Sequence, residues 1–276
     1  MSISAADVKK LRDVTGAGMM DCKKALSESN GDMETAIEYL RKKGQKVAEK
    51  RADRDAEQGL IAVHISDDGK KAAAVELNCE TDFVARNEEF IQNATDFAKL
   101  AFDKNVNDVS AIKELEHGNA TVAKQLETLV GKIGEKIDIS KVVLLETDGQ
   151  LVSYIHPGSQ LAVLVDFEGE LKDEATGKDV AMQIAAMSPI ATNRDEVDSS
   201  VLDKEREIAK EQLINEGKPE HIAEKAAEGK LRRFFEERVL LEQKFVKDSS
   251  MTVAEYLKQQ GEPSVKTFKR IQLGSN

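Results

Sequence analysis

The chain has 276 residues, with 40 Lys and Arg against 51 Asp and Glu, a formal net charge of −11. So acidic a whole argues against a general binder of nucleic acid or of anionic membrane. Aromatics are 4% and Trp is absent, which argues against a surface that stacks bases on aromatic rings.

The apolar fraction of 40% beside 33% charged residues is that of a folded chain with many helical surfaces. Two cysteines, Cys22 and Cys79, make neither a disulfide framework nor a CxxC metal site. They read as buried small side chains in a reducing compartment. Residues 1–7 have no basic start and no apolar core. The longest apolar runs, such as residues 161–165, are too short to span a bilayer. The expectation is a cytoplasmic protein with no membrane contact.

Ser4 is placed to cap a first helix running to about Val14, with Val8 and Leu11 on one apolar face. Thr15-Gly16-Ala17-Gly18 stops it, because glycine adopts backbone angles that other residues resist. Asp21 opens a second helix with Cys22, Ala25 and Leu26 inward, and Asn30-Gly31 is a turn. Asp32 caps a third helix with Ala36, Ile37 and Leu40 inward, and Gly44 ends it. Met19 and Met20 stand at the loop-to-helix corner. Two adjacent residues cannot share one narrow stripe, so at least one Met is exposed, an adaptable contact for a partner. Residues 41–54, RKKGQKVAEKRADR, are strongly basic. They read as a nucleic-acid arm or as a solvated helical linker, and the acidic total favours the linker.

The middle of the chain repeats. Residues 59–77 read as two strands around Asp67-Asp68-Gly69, and residues 149–167 as two strands around His156-Pro157-Gly158. The second segment lies 90 positions on (149 − 59 = 90) and aligns without a gap. Gly59 matches Gly149, Ile65 matches Ile155, Ala72 matches Ala162, Val75 matches Val165, and Glu76 matches Asp166. A helical period follows each hairpin. Phe90, Ala94, Phe97, Ala98 and Ala101 share a face in the first, and Val180, Ile184, Ala185 and Met187 in the second. Between the copies, residues 121–136 are helical and residues 141–146 a strand. The expected fold class is α+β: an N-terminal three-helix module and a core of two similar antiparallel sheet-plus-helix halves.

The copies differ most after the hairpin. The first holds Asp82-Phe83 at a strand-to-helix corner, and the second a polar stretch, residues 169–177, flanked by glycines. Two readings stand open there. Either Asp82 caps the helix and Phe83 packs inward, or the pair projects as an aromatic anchor for a pocket on another protein. Residues 195–217 and 219–237 then form a charged helical hairpin turning at Gly217-Lys218-Pro219. Its thin stripe is Val201, Leu202, Ile208, Leu213, Ile214, Ile222, Ala226 and Leu231, so the hairpin is expected to protrude. It reads as a solvated spacer in preference to a contact arm or homodimer surface. Three closing segments, residues 240–245, 253–257 and 265–273, complete the second half.

No Walker loop, Rossmann glycine fingerprint, HExxH or GxSxG is present, and His64, His117, His156 and His221 are not at ligand spacing. No cofactor, metal or catalytic residue is expected, so the chain reads as a non-enzymatic interaction protein.

The residues 15–26, TGAGMMDCKKAL, followed by Asn30-Gly31-Asp32, resemble the N-terminal signature of the bacterial elongation factor Ts family. Residues 78–85, NCETDFVA, resemble its core signature, and the turn at Gly217 and the Thr252-Val253 segment also fit. The resemblance implies an N-terminal domain like ubiquitin-associated (UBA) domains and a coiled-coil hairpin. It divides the chain into 1–55, 56–147 and 148–276, with the hairpin inserted at about 195–237. It implies guanine-nucleotide exchange on elongation factor Tu, the GTPase that delivers aminoacyl-tRNA. By that match Asp82 and Phe83, framed by Thr81 and Val84, enter the partner's G domain and disturb its Mg²⁺ and phosphate-loop site. Arg12, Met19 and Met20 match residues that pack on another helix of that domain. His156 stands where the family has a histidine near the phosphate-loop side or the partner's third domain. Some family members continue past the last strand into a further helix, and no residues of that module are carried over. The alternative in the same setting is a chaperone-like partner that binds without ejecting nucleotide.

Overall fold

The computed structural model describes residues 3–275. Met1, Ser2 and Asn276, which enter the reading of the chain's two ends, lie outside them. The chain is a mixed α+β protein with antiparallel sheets, and it divides into two compact units. Of the described residues, one holds 3–64, 73–144 and 273–275, and the other 65–72 and 145–272.

The first unit opens with helices α1 (Ala5–Thr15), α2 (Met19–Glu28) and α3 (Met33–Arg51). Ser4 and Asp7 form a reciprocal capping box on α1, and Gly16 closes it at φ +66°. Val8, Leu11, Cys22, Ala25, Leu26 and Ala36 make the small core of these helices. Two expected bounds move. Helix α2 begins at Met19, two residues before Asp21, which sits in its first turn. Helix α3 does not end at Gly44 but runs on to Arg51. Gly44 is buried, because it is where α3 meets helix α7 (Val122–Ile133). A Cβ on Gly131 of α7 would lie 2.6 Å from the Gly44 Cα. Here glycine serves close packing rather than helix termination.

Strands β1 (Gln58–Ile65) and β2 (Lys71–Cys79) form the first hairpin. One-turn helix α4 (Asp82–Ala85), α5 (Glu88–Lys104), α6 (Val109–Glu114) and the two-residue strands β3 (Glu116–His117) and β4 (Ala120–Thr121) lead to α7. Strand β5 (Ile137–Glu146) then completes a sheet of order β1-β2-β5, starting four residues before the expected Lys141. Val75, Leu77 and Cys79 of β2 pack with Phe90, Phe97 and Ala101 of α5 and Leu126 and Val130 of α7.

The second unit repeats the plan. Strands β6 (Gln150–Ile155) and β7 (Leu161–Glu168) are followed by α8 (Glu174–Met187), the hairpin helices α9 (Ser199–Asn215) and α10 (Glu220–Arg238), and short strands β8 (Lys244–Phe245) and β9 (Asp248–Thr252). Helix α11 (Val253–Gln259) and strand β10 (Ser264–Gln272) close it, with sheet order β10-β7-β6. The 90-residue offset survives down to single hydrogen bonds. Ser66 N–H donates to Lys71 O as His156 N–H donates to Leu161 O, both at 2.9 Å. Gly69 and Ser159 occupy the same left-handed turn position, at φ +65° and +56°. A Cβ on Gly59 would meet Leu77 O at 2.1 Å, and one on Gly149 would meet Phe167 O at 1.8 Å. Glu76 and Asp166 are both buried.

Three expectations fail in this unit. Helix α8 begins inside the polar stretch, at Glu174, and Gly177 is buried because a Cβ there would strike Val152 and Leu171. Met187 is exposed rather than on the buried face of α8. In the hairpin the stripe holds only in part: Leu202, Leu213, Ala226 and Leu231 pack inward, but Val201, Ile208, Ile214 and Ile222 are exposed, and Ala209, Ala223 and Ala227 join Leu213 in the contact. Small side chains let the two helices approach, so the larger β-branched residues are turned out.

Candidate functional site

Between the end of β2 and the start of α5 the chain makes a corner held at both ends. Thr81 is extended (φ −128°, ψ 153°) and caps α4, its hydroxyl accepting from Val84 N–H at 3.5 Å. Asn87 caps α5, its side-chain oxygen accepting from Glu89 N–H at 2.9 Å and Phe90 N–H at 3.4 Å. Thr81, not Asp82, is therefore the cap. Val84 and Ala85 pack against the first core, while Phe83 is 83% exposed. Asp82 pairs with Arg86 at 3.0 Å on the open side of the turn. So exposed a pair contributes little to stability.

Two carboxylates fasten this corner to the segment that follows α7. Gly134 ends α7 in the left-handed region at φ +82°, turning the chain toward the corner. Thr81 N–H donates to Glu135 Oε2 at 3.0 Å, and the Thr81 hydroxyl donates to Oε1 at 2.7 Å. In return, Lys136 N–H donates to Glu80 Oε1 at 2.7 Å. Arg51, the last residue of α3, donates to both Glu80 oxygens at 2.8 Å. The Cys79 thiol donates to Thr81 O at 3.1 Å. Burial and the Glu135 carboxylate push that thiol up to about 12, so it serves as a donor and not as a nucleophile. Arg51, Glu80, Glu135 and Lys136 were not anticipated as site residues. The sequence carried two faint signals: Arg51 lies in the basic run, and Glu80 lies within residues 78–85.

The Lys136 N–H, then Arg51, hold the Glu80 carboxyl below the ordinary carboxylate range. A lowered folded-state value means that this contribution is complete above the unfolded value, about 4.3, and is lost as pH falls through the folded one. Glu80→Gln is therefore expected to be less stable than the parent at pH 7, with the difference closing toward zero below about pH 4. Thermal unfolding of both proteins across pH 3–7 checks this, and a gap that stays constant contradicts it.

Met19 and Met20 open α2 and are both exposed, at 57% and 76%. Arg12 is exposed one turn before the end of α1, across the loop from them. The basic run is largely helix, with Lys43 paired to Asp21 and Arg51 to Glu80. His156 belongs to the second unit, in the exposed turn after β6, where the Tyr154 hydroxyl lies 3.1 Å from its Nδ1. Among the described residues no group of three or more His, Cys, Asp or Glu could hold a metal ion, and no helix is long and apolar enough to cross a membrane.

The corner thus holds an aromatic ring in water on a capped, braced turn. The family model described as Elongation factor TS matches residues 80–275, starting at the corner itself. Elongation factor Ts of Prosthecochloris aestuarii is 47% identical over 285 residues, covering 99% of each chain. That of Amoebophilus asiaticus is 47% identical over 278 residues, covering all of both, and that of Aquifex aeolicus 45% over 286, covering 99% of each. The chain belongs to the elongation factor Ts family, and with it to the translation elongation factors.

Proposed function

We propose that the chain drives GDP from elongation factor Tu by seating Asp82 and Phe83 in that GTPase's G domain, where they disturb the Mg²⁺ and phosphate-loop site. The exposure of Phe83 on a fixed corner carries this reading. Its apolar surface gains burial, at about 25 cal/mol per Å², only inside a partner. Thr81 fixes the start of the turn and Val84 ties its inner side to the core. Arg12, Met19 and Met20 form a second contact on the G domain. His156 forms a third, toward the phosphate loop or the third domain. The exchange is non-enzymatic: no bond is made or broken in this chain. Helices α1–α3 serve as a UBA-like domain and α9–α10 as a coiled coil, in a cytoplasmic protein that makes no direct nucleic-acid contact.

Mg²⁺ neutralises phosphate charge, so weakening its coordination loosens GDP. A thousandfold faster release takes about 4 kcal/mol of differential binding, the scale of one buried aromatic hot spot with a lost metal contact. The coupling is reciprocal, so GDP must weaken this protein's binding by the factor by which this protein weakens GDP. Titrating the chain into nucleotide-free and into GDP-saturated elongation factor Tu tests the proposal. The nucleotide-free form is expected to bind about a hundredfold tighter or more. Equal affinity for both forms identifies a chaperone-like partner instead.

A further inference from the structure

We infer that Glu135 is a positioning residue for exchange, holding the Phe83 corner in its working geometry through Thr81; the inference rests on the wedge proposed above. Helix α4 is a single turn and none of its own residues is fully buried. Its place is therefore set from outside, by what grips its ends. At its start that grip is crossed: Glu135 accepts from the backbone of Thr81, and Glu80 accepts from the backbone of Lys136. Each segment's carboxylate satisfies the other segment's N–H, so neither can shift alone. Glu80 also pairs with Arg51 and braces α3, whereas among the described residues the hydrogen bonds of Glu135 go to the two donors of Thr81. Removing Glu135 therefore loosens the corner selectively. A wedge that must order itself on entering a partner loses part of its binding free energy to that ordering. The loss falls on the step in which Phe83 is inserted, not on docking through the other surfaces.

The test uses the full chain and GDP release from elongation factor Tu as a function of chain concentration. Glu135→Ala is expected to lower the maximal rate about tenfold while the half-saturating concentration moves less than about threefold. Glu135→Gln still offers an oxygen to Thr81 N–H and is expected to recover at least about half of that loss on a logarithmic scale. In a Phe83→Ala background, Glu135→Ala is expected to add less than about twofold, because the two act as one unit. A purely structural loss would be the same in both backgrounds, and that result overturns the inference. So does a Glu135→Ala rate within about twofold of the parent when Phe83→Ala is defective; the wedge then stands without this brace. A parental rate for Phe83→Ala alone overturns the wedge itself. Should Glu135→Ala not fold, Glu135→Gln decides in its place, with about threefold expected in the parent and less than about twofold beside Phe83→Ala.

Discussion

Replacing Phe83 by alanine is expected to lower the maximal rate of GDP release by about a hundredfold or more, with affinity for nucleotide-free elongation factor Tu falling less than about tenfold. The asymmetry follows from where the ring sits. It is largely exposed, so its loss leaves α4 capped by Thr81 and α5 by Asn87. Stability should change by no more than about 0.5 kcal/mol, as for other exposed side chains. In the proposed complex, the exposed Met19, Met20 and Arg12 still bind the partner. Stopped-flow release and calorimetric binding of the same variant separate the two quantities. An equal loss in both would show that Phe83 is a plain anchor rather than the element that ejects nucleotide.

The second large effect lies in the helix crossing beneath the site. Gly131→Val is expected to destabilise the protein by about 2–3 kcal/mol, because its Cβ would be driven into the backbone of Gly44, 2.6 Å away. A backbone atom cannot swing aside as the end of a side chain can. For a chain of this size the melting temperature should fall by roughly 4–12 °C. The partner glycine behaves differently. A Cβ on Gly44 would meet Glu127 O and the Gly131 Cα at 3.5 Å, an ordinary contact. Gly44→Ala should therefore be neutral or gain up to about 1 kcal/mol from its higher helix propensity. Thermal unfolding of the two variants side by side checks the contrast. Similar losses in both would mean that α3 and α7 do not meet as described.

The duplicated halves were legible in the sequence, because a hairpin's demands are local. A glycine where another strand's carbonyl comes close, a left-handed turn residue and alternating apolar positions recur at a fixed offset in any copy that folds the same way. The same local habit fails at Gly44, and Gly177 shows the same packing use of glycine. Glycine signals a break when only neighbours along the chain are considered, yet both are buried where another element packs tightly. The expected hairpin stripe holds at Leu202, Leu213, Ala226 and Leu231 and fails at its four β-branched members, because alanines at 209, 223 and 227 let the helices come close. Phe83 could not be placed from the residues alone, since four residues are too few for a helical period to choose a face. The grip of Glu135 on Thr81 spans 54 positions and follows no spacing rule, so only the folded chain shows it.

A chain that ejects GDP speeds its release; a chain that merely binds elongation factor Tu does not. The most direct test is the release of a fluorescent GDP analogue from elongation factor Tu at fixed free Mg²⁺, with and without saturating chain. The wedge predicts acceleration on the order of a thousandfold. An unchanged release rate, in a mixture where the complex demonstrably forms, would contradict it.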